Sequence, residues 1–156
     1  MADHAQSPGG LNSLRGERVL MCVVVTPEAT VRESPAQFVA LPLFDGEIGI
    51  APGHSPMIGR LGYGELRISE GNRTDRYYVD GGFVQVTGNV ISVLTNRAIP
   101  AGQLDAHAAA VQLETARGRA ANTPELLAIR DRALLQARAQ LRMATHRGSG
   151  SSPAAH

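Results

Sequence analysis

From Val19 to about Thr95 the chain sets short runs of Val, Ile, Leu, Tyr and Phe between Gly, Pro, Asn and Asp, the pattern of consecutive β-strands. Strands are predicted at 19–26, 29–33, 38–43, 46–50, 64–70, 75–79, 83–87 and 90–95. Glu70-Gly71-Asn72 and Gly88-Asn89 fall between strands as tight turns, because Gly and Asn tolerate the positive φ of hairpin turns. Alternation in Leu66-Arg67-Ile68-Ser69 and Ile91-Ser92-Val93 gives each strand one apolar and one polar face. Two such half-buried sheets make an antiparallel sandwich.

After Pro100-Ala101-Gly102 the vocabulary changes to Ala, Leu, Arg, Gln and Glu, which favour helix. Asp105 is placed to cap a first helix, on which Ala106, Ala109, Ala110, Leu113, Ala116 and Ala120 share a face. Thr123-Pro124 then supplies an N-cap and a first-turn proline for a second helix reaching about His146. Its Leu127, Leu134 and Leu141, flanked by Ala133 and Ala137, predict a stripe packed on the alanine face. The fold class is therefore α+β, an N-terminal antiparallel β-sandwich (19–102) followed by a C-terminal two-helix hairpin (103–147). A disordered leader (1–18) and a Gly/Ser-rich disordered tail (148–156) are expected at the ends.

Composition narrows the function. The 156 residues allow one main core plus an appendage. Tryptophan is absent and aromatics are few, so that core is aliphatic. A net charge of +1, with Arg in place of every Lys, argues against a nucleic-acid binder. One cysteine, Cys22, rules out intrachain disulfides and a cysteine-based zinc site, and a strand-buried thiol is its expected state. No apolar run approaches the roughly 20 residues that span a bilayer.

Few side chains suggest chemistry. His54 lies near Asp45 and Glu47 in sequence, but a metal site needs convergent histidines, and the β-half has no second one. Asp45, His54 and Ser55 name the parts of a hydrolytic triad without any nucleophile-elbow pattern. An alternative reading is a small β-sandwich enzyme or ligand-binding domain built on His54, Asp45 and Glu47. Gly62-Tyr63-Gly64 lacks a following helix and a Lys-Ser/Thr, and reads as a strand-entry turn rather than a phosphate cradle. In the second helix Arg130, Arg132, Arg138, Arg142 and Arg147 outnumber Glu125 and Asp131, giving either a solvated face or a docking strip for an acidic partner.

The stretch from Leu41 to Met57, Leu-Pro-Leu-Phe-Asp-Gly-Glu-Ile-Gly-Ile-Ala-Pro-Gly-His-Ser-Pro-Met, resembles the Asp/Glu-Gly-Glu-x-Gly-Ile-x-Pro-Gly-His-Ala/Ser-Pro signature of bacterial F-type ATP synthase epsilon subunits. Thr26-Pro27-Glu28, Gly64-x-Leu66-x-Ile68, Gly81-Gly82-Phe83-Val84-x-Val86 and Val90-x-Ser92-Val93-Leu94 follow in the family's order. The resemblance implies a non-catalytic rotor subunit on the cytoplasmic face of the bacterial inner membrane. Its sandwich would lie against the gamma subunit and stand on the c-ring, with Asp45, Glu47 and His54 toward the ring in one protruding turn. Its hairpin would extend toward the alpha and beta subunits and inhibit ATP hydrolysis, Arg130, Arg138 and Arg142 meeting an acidic beta-subunit loop. The family's ATP motif, Ile/Leu-Asp-x-x-Arg-Ala, is broken here: Leu104 and Asp105 remain, but Ala108 stands at the arginine position. Losing that cation removes the main contact to phosphate, so Asp105 is left as a helix cap and no cofactor is expected.

Overall fold

The computed structural model describes residues 19–146, so the predicted leader and tail lie outside the described residues. Ten strands come first: β1 (Leu20–Val25), β2 (Thr30–Ala36), β3 (Phe38–Leu43), β4 (Gly46–Ile50), β5 (Met57–Arg60), β6 (Tyr63–Glu70), β7 (Arg73–Asp80), β8 (Phe83–Thr87), β9 (Val90–Leu94) and β10 (Ala98–Pro100). A 3-10 turn (Ala101–Gln103) leads to helices α1 (Ala106–Arg117) and α2 (Pro124–Thr145). The expected sandwich and helical hairpin are both present. Strands β5 and β10 were not predicted.

The strands form two five-stranded sheets, ordered β2-β1-β9-β8-β5 and β10-β7-β6-β3-β4. Pairing is antiparallel throughout except between β1 and β9, which run parallel with Met21 opposite Val90 and Val25 opposite Leu94. Between the sheets lies a dry aliphatic core that includes Leu20, Val24, Leu41, Ile50, Leu66, Ile68, Val84 and Ile91. Cys22 is fully buried there. Burial pushes its thiol up to about 11, against a smaller opposing effect of the Arg32 charge. Arg32 also stitches the sheets together: from β2 its guanidinium binds the Asp75 carboxylate and, at 3.4 Å, the Tyr77 hydroxyl, both on β7.

Turns follow the glycines. Gly71 and Gly88 take φ of 59° and 58° in the β6–β7 and β8–β9 turns. Gly82 is the most constrained position. At φ 106° a Cβ there would lie 1.9 Å from the Leu94 carbonyl oxygen, so only glycine lets β8 leave the β7 corner this close to β9.

Helix α2 lies on β6 and β7, on the face of the second sheet turned away from the core, and α1 packs on α2. Both caps are as expected. Asp105 accepts from the backbone N–H of His107 and Ala108, and Thr123 accepts from that of Leu126, with Pro124 opening the helix. Ala109, Leu113 and Ala116 are the buried face of α1. The leucine stripe of α2 holds in part: Leu134 and Leu141 are half-buried and Ala137 is buried. Leu127 is 40% exposed, and the buried positions are Ala137, Ala139, Gln140, Met143 and Ala144. One helix has two neighbours to satisfy, the sheet and α1, so its buried arc centres between them rather than on the heptad line.

Candidate functional site

The segment that carried the resemblance is an antiparallel hairpin, not one protruding turn. In the β3–β4 register Leu43 faces Gly46 at one end and Val39 faces Ile50 at the other. Phe44 and Asp45 form the tip at the first end. There the Phe44 N–H donates to the Arg60 carbonyl (2.8 Å) and the Gly62 N–H to that of Pro42 (3.1 Å), tying the tip to the β5–β6 corner. Phe44 is 71% exposed, with the Arg60 guanidinium 4.7 Å from its ring centroid. His54 belongs to the loop beyond Ile50, at the opposite end. The Gly53 N–H donates to Asn89 Oδ1 (3.1 Å), and His54 Nδ1 lies 2.7 Å from the Ser55 carbonyl oxygen. Asp45 and His54 are thus separated by the length of β4, which removes the geometric basis of a triad or metal site using both.

Glu47 occupies a third location, on the sheet face beside the C-terminal end of α2. Its Oε1 accepts from Arg67 Nη2 at 2.8 Å, and Arg67 Nη1 reaches Glu65 Oε1 at 3.3 Å. Glu65 in turn accepts from Arg76 Nε at 3.0 Å. Burial acts to raise the Glu65 pKa, but the hydrogen bonds and charges of Arg76 and Arg67 outweigh it and hold the carboxyl below its ordinary range. This ion chain floors a groove of about 750 Å³ that Arg142 and His146 overhang from α2. Of the three predicted arginines, Arg138 and Arg142 are exposed and Arg130 is half-buried, its Nε 3.9 Å from Asp131. At 100° per residue they span about a third of the helix circumference, with Arg142 at the edge that borders the sheet. Asp105 spends one carboxylate oxygen, Oδ1, on the backbone N–H of His107 (2.8 Å) and Ala108 (3.3 Å), and Ala108 brings no charge to the site.

Two features escaped the sequence. The outer face of the first sheet is apolar. Phe83 sits opposite Leu94, and Leu94 opposite Val25; Val90 sits opposite Met21, and Ile58 lies on the edge strand. Phe83, Leu94, Val90 and Ile58 are 57%, 50%, 44% and 75% exposed. Alternation alone marks these strands as half-buried; counting apolar residues at the outward positions would have found the patch. The second feature is a buried carboxylate, Asp80, at the end of β7 under α2. Its Oδ1 accepts from the Tyr78 hydroxyl (3.0 Å) and from Gln136 Nε2 on α2 (2.8 Å), while Oδ2 accepts from Arg97 Nε (3.0 Å). The available signal was a pair of glutamines one turn apart, Gln136 and Gln140, among the small apolar residues of α2.

Comparison with known proteins agrees with this architecture. The sequence model described as the ATP synthase, Delta/Epsilon chain, beta-sandwich domain matches residues 19–101. The ATP synthase epsilon chain of Rhodopirellula baltica is 52% identical over 123 residues, covering 79% of this chain and 96% of the relative. That of Carboxydothermus hydrogenoformans is 42% identical over 98 residues, covering 63% and 73%. Among solved structures, a chain of the Euglena gracilis mitochondrial ATP synthase (OSCP/F1/c-ring) superposes with a TM-score of 0.74 at 24% identity, covering 83% of this chain and 82% of that one. A chain of the Tetrahymena thermophila mitochondrial ATP synthase central stalk and c-ring gives 0.65 at 14% identity, covering 80% and 96%. At these identities the structural likeness speaks for the fold.

Proposed function

Because the chain belongs to the family of ATP synthase epsilon chains, and is a non-catalytic subunit of that enzyme, we propose that it serves the central stalk of a proton-translocating F-type synthase, coupling gamma and c-ring rotation to ATP synthesis. The observation that carries this reading is the exposed apolar patch on the outer face of the first sheet, whose Val25, Phe83 and Leu94 line a cavity shared with Ala128 and Leu135 of α2. Exposed Leu94 and Phe83 in a row with half-buried Val25 are the signature of a surface that another subunit covers. We assign it to gamma.

The β3–β4 tip suits a second contact. Phe44 and Asp45 project from it, and Glu47, on the adjoining sheet face, keeps one oxygen beyond its bond to Arg67, so both carboxylates are offered to the polar loops of the c-ring. His54, at the other end of β4, is not assigned to that contact. The hairpin is the regulatory part: released from the sheet, it would reach the alpha and beta subunits, with Arg130, Arg138 and Arg142 against an acidic surface, and slow ATP hydrolysis. Control by ATP bound to the hairpin is not part of this reading, because Asp105 is a cap and Ala108 supplies no cation. Among the described residues no helix is long and apolar enough to cross a membrane. The subunit is placed in the membrane-associated complex through its partners, on the cytoplasmic face of the bacterial inner membrane.

The test is co-purification from membranes of cells expressing tagged chain. Wild type is expected to bring alpha, beta and gamma subunits, and Leu94→Glu with Phe83→Glu to lose them while keeping the native circular dichroism spectrum. Recovery of no synthase subunit by the wild type would overturn the reading.

A further inference from the structure

The contact between α2 and the sandwich is apolar, and the helix meets it with two alanines and a methionine. Tyr78, Ala101, Leu104, Ala139, Met143 and Ala144 form its buried cluster. Alanines pack closely but fix neither the rotation nor the register of a helix on a sheet, since each offers only a methyl group. The direction must come from elsewhere. Asp80, with 6% of its surface exposed, is the polar centre of this interface.

Every partner of Asp80 except one belongs to the sandwich. Tyr78 and Arg97 hold its carboxylate, its N–H donates to Thr95 Oγ1 (3.0 Å), and its carbonyl accepts from Asn96 Nδ2 (3.0 Å). The Arg97 guanidinium also lies over the Tyr78 ring, 5.8 Å from its centroid. The acceptor is therefore aimed before the helix arrives. Gln136 adds the remaining bond from α2, and on release water can replace it while Arg97 still neutralises the charge.

Gln140, one turn further along, does the opposite. It is 7% exposed and reaches the Tyr78 hydroxyl from the helix side, yet its Nε2 makes no hydrogen bond of acceptable geometry. A buried amide N–H aimed so poorly at the neighbouring Tyr78 hydroxyl is under-satisfied in the docked state and gains full hydration when the helix leaves. We propose that Asp80, Tyr78 and Gln136 form a catch that seats α2 in one register, and that Gln140 weakens the same seat, so that the two glutamines together set how readily the hairpin detaches. The catch supplies direction and the loose amide keeps it reversible. This inference rests on the hairpin being the movable regulatory element, and the experiment separates the two.

Hydrogen exchange is measured on α2 amides of the full chain. Gln136→Leu removes the donor and is expected to speed exchange about tenfold, the value of one hydrogen bond to a charged group. Gln140→Leu keeps roughly the same bulk, removes the poorly aimed amide and is expected to slow exchange about fivefold. Gln112→Leu, at an exposed position on α1, leaves it unchanged. Sandwich amides report folding, and stay protected in all three. Unchanged exchange in Gln136→Leu, or faster exchange in Gln140→Leu, overturns the catch. The same variants are then assayed for ATP hydrolysis in the assembled synthase. If α2 exchange shifts in opposite directions as stated but hydrolysis does not respond, the catch stands and the inhibitory role of the hairpin falls.

Discussion

Between the two sheets the interior is filled by branched aliphatic side chains from both layers, whereas the smaller cluster beneath α2 is half alanine, with Leu104, Met143 and Tyr78 as its bulk. Stabilisation by burial scales with apolar area, and an alanine removes little of it from water. The sandwich is consequently a permanent structure and the hairpin an attachment. Polar groups divide in the same way. Arg32 and Asp75 join sheet to sheet near the surface, while Asp80, itself buried, joins sheet to helix through a part-buried hydrogen bond to Gln136.

The strongest way to break the permanent part is Gly82→Ala. Positive φ and the approach to the Leu94 carbonyl together are expected to cost about 4 kcal/mol, read as a lower denaturation midpoint. Next is Ile68→Ala, a fully buried truncation expected to cost about 3 kcal/mol in the same measurement. Met143→Ala sharpens the contrast. It removes the longest flexible side chain under α2 and is expected to cost about 2 kcal/mol of docking, seen as faster exchange of α2 amides. The sandwich transition should stay where it was.

Acid gives the smallest effect. Burial acts to raise the Asp75 pKa, but hydrogen bonds and charges from Arg32 and Arg73 overcome it, and Arg76 and Arg67 do the same for Glu65, so both carboxyls sit below their ordinary values. A depressed folded-state pKa stabilises the fold fully above the unfolded value, about 4 for these groups, and the stabilisation disappears as pH falls through the folded value. Sandwich stability should therefore decline below about pH 4. Arg32→Met should flatten that decline in a pH series of thermal melts.

Much of the fold was legible because turn chemistry and alternation are local. The strands at 38–43, 46–50 and 83–87 coincide with β3, β4 and β8, and both helix caps act through the residues that announced them. Strand β5 was missed because Gly59 thins its alternation and Pro52, Gly53 and Pro56 make the approach read as loop. β10 is three residues ending in proline, below what a periodic signal can carry. The candidate site was less legible. The signature around Asp45, Glu47 and His54 is contiguous in sequence, but a strand intervenes, and its ends point to different parts of the molecule. Asp80 lay just past the predicted 75–79 strand beside two glycines and resembled a turn residue; its partner Gln136 could be found only through the packing of the hairpin.

The parallel pairing of β1 with β9 has a further consequence for how the chain comes to be folded. β1 can pair at once with β2, but its other edge stays open until synthesis reaches Val90, so the sheet closes through contacts distant in sequence. Such contacts form slowly, whereas α1 and α2 join through neighbours. The helices follow β9 in order of synthesis, and the platform they rest on includes β7 and β6, already joined as a hairpin. The slow closure thus falls in the first sheet, while α2 rests on a platform complete without it, and its undocking is expected as a local opening that leaves the sandwich closed.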